Sequence, residues 1–106
     1  MGLFEIFRGP DMHDGLDAMR NTPGAVLVDV RTPADYGDGR IPGSITVPLQ
    51  LLETLYDAVE DKDAPVYVYC RSGARSRQAA QLLGRMGYTN VTNLGGILSY
   101  RGEVER

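Results

Sequence analysis

The sequence predicts an α/β domain in which a mainly parallel sheet of about five strands lies between two layers of helices. Short runs rich in valine and tyrosine alternate along the chain with stretches of helical periodicity. The clearest strands are almost uninterrupted apolar runs, as expected of strands covered on both faces. The chain of 106 residues is about one domain long, so we expect a single domain over residues 1–106.

Two predicted strands carry a strong signal. Residues 25–30 (AVLVDV) and 65–70 (PVYVYC) are short and rich in β-branched and aromatic side chains. Weaker signals of the same kind predict three further strands, at residues 3–7, 44–47 and 90–93.

Five stretches of helical character alternate with these strands, at residues 11–21, 33–38, 49–60, 74–86 and 97–103. In the fourth, spacings of three and four residues place Ala79, Leu82, Leu83 and Met86 on one stripe, which we expect to face the sheet. The opposite face is polar and carries Arg77, Gln78, Gln81 and Arg85. Gly87 predicts the end of this helix, and Asn21 with Pro23 and Gly24 predicts the end of the first.

Composition and charge exclude several classes of function. A net charge of −3 gives no reason to expect a nucleic-acid partner. No apolar run approaches the roughly 20 residues that span a bilayer, and the start, MGLFEIF, does not resemble a signal peptide. We therefore expect a cytoplasmic protein without a membrane partner. One cysteine and one histidine provide no familiar ligand spacing, so we expect no metal and no cofactor.

The loop after residues 65–70 is the stretch most indicative of chemistry. Cys70 ends this strand, and the small residues and glycine of RSGARS lead into the fourth helix. In a parallel sheet, ligands collect at the carboxyl ends of strands, where loops lead into helix N-termini. A tight loop there can point several backbone N–H groups inward, next to the positive end of the helix dipole. The sequence therefore predicts an anion-binding loop around Cys70.

The same surroundings predict a reactive thiol. Inward N–H groups, the helix N-terminus and the nearby Arg71 and Arg75 all favour the thiolate of Cys70. Each guanidinium also presents a forked set of donors that suits an oxyanion such as a sulfonate or phosphate. Cys70 is therefore the candidate nucleophile.

Two other interpretations of the lone cysteine are less favoured. Packing explains most single cysteines, but a strand end, a glycine-containing loop and two arginines within six residues favour a functional thiol. Protease chemistry would pair Cys70 with a histidine base. His13, the one histidine, lies in the acidic stretch DMHD of the first predicted helix and is more typical of a solvated surface.

Over about residues 26–100 the sequence resembles the single-domain rhodanese-like sulfurtransferases. VLVDVRTPADY from Val26 and GRIPGSITVPL from Gly39 are similar to the first and second signatures of that family. VYVYCRSGARS resembles its active-site loop, and GYTNVTNLGGI from Gly87 resembles its closing segment. Any one motif alone would be weak, but four in the family's order and spacing are highly specific.

The resemblance implies a rhodanese-like three-layer fold with a five-stranded parallel sheet, and a cysteine that carries sulfane sulfur as a persulfide. By this resemblance Cys70 is the sulfur carrier and Ser76 begins the following helix. The loop whose amides hold the persulfide would consist of Arg71, Ser72, Gly73, Ala74 and Arg75. The implied donors are thiosulfate or a persulfide, and the acceptors are cyanide or a thiol. A sulfur-relay protein is a further candidate partner.

The resemblance also assigns supporting positions and shows two departures. Asp29 and Arg31 match the Asp-Val-Arg signature, and we expect them to support the loop rather than take part in chemistry. A surface ion pair between Arg31 and Asp35 is the alternative. Arg40 stands where the family usually has histidine, and Tyr100 lies where it often has tryptophan. Arg40 could add charge beside the pocket or simply face water, and the second option needs no special explanation.

The sequence also leaves three competing functions. Phosphatases of the same fold place an arginine six residues after the cysteine, where this chain has Ser76. A non-catalytic rhodanese-like binding module would usually lack the cysteine. A redox sensor would need an external thiol partner, because the chain has no second cysteine.

Overall fold

Four strands form one parallel sheet in residues 11–106, the part of the chain that the computed structural model describes. They are β1 Val26–Asp29, β2 Ile45–Thr46, β3 Val66–Cys70 and β4 Val91–Gly96, in the order β2-β1-β3-β4. Every neighbouring pair is parallel, which confirms the predicted α/β class. The fifth predicted strand, at residues 3–7, lies outside the described residues.

Four α-helices and two short 3-10 helices accompany the sheet within the described residues. The α-helices are α1 Met12–Arg20, α2 Pro33–Asp38, α3 Leu55–Ala58 and α4 Ala74–Arg85, and the 3-10 helices are Leu49–Thr54 and Ile97–Ser99. Side chains cap the first two: the Asp11 carboxylate accepts hydrogen bonds at the start of α1, and the Thr32 hydroxyl accepts one at the start of α2.

The sheet separates two apolar layers because side chains alternate along its strands. Val68 and Cys70 of β3 pack with Leu55 and Leu83 from α3 and α4. Tyr67 and Tyr69, on the opposite face of the same strand, belong to a second cluster with Met12 and Leu16 of α1. The three-layer arrangement is therefore confirmed.

Helix α4 has the predicted polarity and the predicted end. Ala79 and Leu83 are fully buried, Leu82 and Met86 are partly buried, and the predicted polar face is exposed. Gly87 has a left-handed φ of 102°, and Tyr88 N–H then donates to the Leu83 carbonyl at 3.0 Å. That reversal closes the helix at a glycine.

Two predicted helices are wrong in extent. The stretch 49–60 is a 3-10 helix followed by the short α3, with a non-helical φ of −115° at Leu51. Its apolar spacing is real, since Leu52, Leu55 and Val59 are buried. The stretch 97–103 is helical only over Ile97–Ser99, and Tyr100, which follows, has an extended backbone.

The strand predicted at residues 90–93 is Val91–Gly96 in the structure, three residues longer at its carboxyl end. Residues 101–106 are exposed, and Glu105 pairs with Arg40 through an antiparallel bridge. No helix among residues 11–106 is long and apolar enough to cross a membrane.

Candidate active site

The sulfur of Cys70 lies between the end of β3 and the beginning of α4. The Gly73 N–H donates to Sγ at 3.0 Å, and the thiol donates to Ser76 Oγ at 3.4 Å. Gly73 precedes α4 with a left-handed φ of 107°, and no side chain caps this helix within the described residues. The first amides of α4 are therefore directed at the sulfur instead of at a capping group.

These hydrogen bonds outweigh the effect of burial on the pKa of the Cys70 thiol. Burial has the largest single influence and raises the pKa of Cys70, because it penalises the charged form. The Ser76 hydroxyl and the amides of Ser76, Gly73 and Arg75 stabilise the thiolate, and together they bring the pKa below its ordinary value. The loop thus promotes ionisation mainly through hydrogen bonds.

An open pocket of about 190 Å³ lies above the sulfur. Its lining residues are Asp35, Cys70, Arg71, Ser72, Ala74 and Arg75. Arg71 and Arg75 are exposed and contribute two positive charges to the residues around the pocket. The residues of the predicted loop are therefore brought together around one opening.

The cysteine side chain is only 1% exposed. Small molecules nevertheless have a route to it, because the residue forms part of the lining of an open pocket. The thiol is thus both packed against the core and positioned at the base of a cleft.

Ser76 is the third residue of α4 and not its first, which corrects the sequence-based placement. Its side chain is buried, and its Oγ also lies 3.1 Å from the Gly73 carbonyl oxygen and 3.3 Å from that of Gly95. The position six residues after Cys70 therefore holds a hydroxyl in contact with Sγ, where the related phosphatases would have an arginine.

Two glycines of β4 that the sequence-based site did not include allow this loop to pack against the sheet. Gly95 has a φ of 89° beside an irregularity in the pairing of β3 with β4. A Cβ at Gly96 would overlap the Arg71 carbonyl oxygen and approach Ser72 Cα to 2.6 Å. The pair GG in the closing segment is the sequence signal that could have indicated this close approach.

Asp29 and Arg31 form a buried ion pair at the end of β1. Arg31 Nη2 donates to Asp29 Oδ2 at 2.6 Å, and Arg31 Nε lies 3.0 Å from both carboxylate oxygens. The same Nη2 donates to the Gly39 carbonyl at 2.8 Å. Burial lowers the pKa of Arg31, but the hydrogen bond and charge of Asp29, together with Tyr69 and Asp35, raise it by more. The alternative pairing of Arg31 with Asp35 is wrong, since Arg31 is bound to Asp29.

Arg40 and Tyr100 make contacts away from the pocket. Arg40 Nε forms an ion pair with Glu105 at 3.2 Å, and its guanidinium stacks 4.6 Å from the centre of the Tyr36 ring. Tyr100 stacks on His13 at 5.6 Å, and His13 Nε2 accepts a hydrogen bond from the Arg101 N–H. His13 therefore joins α1 to the carboxyl-terminal segment.

Comparison with known proteins assigns the class. The family model for the rhodanese-like domain matches residues 12–103, which is most of the chain. The chain therefore belongs to the rhodanese-like family, as the four motifs predicted.

Particular relatives point to sulfur chemistry. A protein named sulfurtransferase from Allochromatium vinosum is 42% identical over 83 residues, covering 77% of this chain and 77% of that protein. Thiosulfate sulfurtransferase PspE of Escherichia coli is 44% identical over 71 residues, covering 66% of this chain and 68% of that protein. A solved structure described as rhodanese with anions from E. coli has a TM-score of 0.73 at 37% identity, and the match covers 77% of this chain and 98% of that one.

Proposed function

We propose that this protein is a sulfurtransferase in which Cys70 receives sulfane sulfur from thiosulfate or a persulfide donor and passes it to cyanide or a thiol. One observation carries the proposal: the Cys70 sulfur lies at the base of an open pocket, held by the Gly73 N–H at 3.0 Å and flanked by Arg71 and Arg75. The names of the relatives from A. vinosum and E. coli support the same chemistry.

In the first half of the cycle the Cys70 thiolate attacks the outer sulfur of thiosulfate. A sulfur–sulfur bond forms to Cys70, the sulfur–sulfur bond of thiosulfate breaks, and sulfite leaves with the bonding electron pair. Sulfite needs no proton to leave, so the step requires a thiolate and no general acid or base. The lowered pKa of Cys70 supplies that thiolate, and Arg71 and Arg75 attract the dianion.

In the second half an acceptor removes the outer sulfur. Cyanide or a thiolate attacks the terminal sulfur of the Cys70 persulfide, the bond between the two sulfurs breaks, and the Cys70 thiolate is restored. Cyanide becomes thiocyanate, and a thiol becomes a persulfide. Electrons balance without an outside oxidant or reductant.

The decisive test is mass spectrometry of the intact protein after thiosulfate treatment. We expect a gain of one sulfur atom on Cys70, its loss on addition of cyanide, and formation of thiocyanate. Cys70→Ser should show neither gain nor transfer. A wild-type protein whose mass stays unchanged would instead support a binding module, and transfer by Cys70→Ser would refute the role of this residue.

A further inference from the structure

The pocket above Cys70 contains one acidic side chain. Asp35 of α2 lines it together with the two arginines of the loop. A carboxylate is unexpected in a pocket that favours anions, because it opposes the attraction that Arg71 and Arg75 exert.

Asp35 has a structural role in α2 that involves its backbone N–H. The Thr32 hydroxyl accepts a hydrogen bond from the Asp35 N–H at 3.2 Å, and this caps α2. An acidic residue in the first helical turn is also favourable in general. Neither effect requires the carboxylate to face the pocket.

Asp35 forms no ion pair within residues 11–106, although Arg31 lies near enough for the two charges to interact. The three ion pairs found there involve other acids, and Arg31 is committed to Asp29 and to the Gly39 carbonyl. The side chain of Asp35 is only partly buried. Its charge is therefore available to whatever occupies the pocket.

The pocket thus presents two positive groups and one negative group around a single sulfur. A dianion such as thiosulfate gains from the arginines and is opposed by Asp35, whereas an ammonium group gains from Asp35 directly. The volume of about 190 Å³ lies below the roughly 300 Å³ at which pockets for larger ligands begin. The charge pattern and the size together match a small thiol that carries an ammonium group.

We propose that Asp35 is a specificity-determining residue of the acceptor half of the cycle and shifts the acceptor preference toward small aminothiols and away from purely anionic thiols. This inference rests on the proposed function, because it concerns removal of sulfur from the Cys70 persulfide. The acceptor thiolate attacks the outer sulfur, the bond to the Cys70 sulfur breaks, and the acceptor leaves as a persulfide. Asp35 holds the ammonium group during this attack and makes no bond to the reacting atoms.

The test measures sulfur removal from the thiosulfate-loaded protein with three acceptors: cysteamine, 3-mercaptopropionate and 2-mercaptoethanol. For Asp35→Asn we expect the second-order rate constant to fall about three- to tenfold with cysteamine and to rise by a similar factor with 3-mercaptopropionate. The neutral 2-mercaptoethanol should react at an unchanged rate. Each variant is compared with the wild type using the same acceptor, which cancels differences in acceptor basicity.

Asp38→Asn is the matched control, because Asp38 ends the same helix, is exposed and does not line the pocket. It should match the wild type with all three acceptors. If Asp35→Asn changes all three rates equally or none of them, the inference is overturned while sulfur loading of Cys70 stands. A wild-type protein that never gains sulfur overturns the proposed function and this inference together.

Discussion

At the scale of single residues, the reactivity of Cys70 depends on a few short hydrogen bonds. Burial alone would keep the thiol protonated, and the opposing contacts come from the Ser76 hydroxyl and from loop amides. In the neutral state the thiol donates to Ser76 Oγ. Once the sulfur is ionised, the hydroxyl hydrogen can rotate toward it and donate in return. Ser76 therefore acts as a positioning residue for the thiolate.

Ser76→Ala should move the pH profile of sulfur loading to higher pH. Loss of the hydroxyl removes an influence that lowers the pKa of Cys70, so less thiolate exists at neutral pH. A hydrogen bond to a charged group contributes about 1.5–3 kcal/mol, so the midpoint of the profile should lie at a measurably higher pH in the variant. The measurement is the rate of persulfide formation from thiosulfate between about pH 5 and 10.

Two features of that pH profile distinguish an effect on the pKa of Cys70 from a general disturbance of the structure. The rates of Ser76→Ala and wild type should converge at alkaline pH, where both thiols are ionised. Ser99→Ala, a change at an exposed serine outside the pocket, should leave the profile unchanged. A loss of rate by the same factor at every pH would contradict the assignment.

At the scale of secondary-structure elements, the loop takes its shape from β4 as well as from its own sequence. The Arg71 carbonyl accepts a hydrogen bond from the Leu98 N–H at 3.2 Å, just beyond the end of β4. The absence of a side chain at Gly96 lets the backbone of Arg71 and Ser72 lie against the strand. The edge of the active site is therefore fixed by a contact between segments far apart in sequence.

Gly96→Ala should reduce both stability and sulfur transfer. The new Cβ would overlap the backbone of Arg71 and Ser72, which cannot yield as a flexible side chain could. We expect a loss of about 1–3 kcal/mol in the free energy of unfolding and at least a tenfold lower rate of persulfide formation.

Gly84→Ala supplies the matched control in the same chain. Gly84 lies within α4, where an added Cβ meets no atom within 4 Å. Alanine there should raise the free energy of unfolding by about 0.5–1 kcal/mol and leave transfer unchanged. Urea unfolding and the thiosulfate assay measure both effects, and equal behaviour of the two variants would contradict the packing argument.

At the scale of the whole molecule, the buried pair Asp29–Arg31 ties the end of β1 to the segment that precedes β2. Asp29 is fully buried, and Arg31 also binds the Gly39 carbonyl. Nearby, the Tyr69 hydroxyl donates to Ser44 Oγ and accepts from the Ile41 N–H. These buried hydrogen bonds hold the segment that connects β1 to β2 against one face of the sheet.

Arg31→Met should destabilise the fold, because it leaves the Asp29 carboxylate buried without its cation. Breaking a buried ion pair costs about 3–5 kcal/mol, whereas an exposed pair contributes about 0–1 kcal/mol. Arg20→Met is the control, since Arg20 and Asp17 are exposed partners at 3.5 Å. Urea unfolding should show a large loss only for Arg31→Met, and equal losses would contradict the special role of the buried pair.

The fold class, the strand that ends at Cys70 and the helix that follows it could all be predicted from the amino-acid sequence. Those features follow from local patterns: valine and tyrosine runs, apolar spacings of three and four, and glycine at Gly87. The local pattern was less informative at residues 49–60 and 97–103. In both stretches the sequence pattern predicted a helix but did not show where that helix ends.

Which residues share the site became clear from the three-dimensional fold. It brought Asp35 of α2 into the pocket, placed Gly96 against Arg71, and paired Arg31 with Asp29 instead of Asp35. Contacts of this kind depend on how helices and strands are placed in space, and a residue's own neighbourhood in the sequence does not encode that placement. The nucleophile could be found from its local motif, whereas the charges and packing around it required the fold.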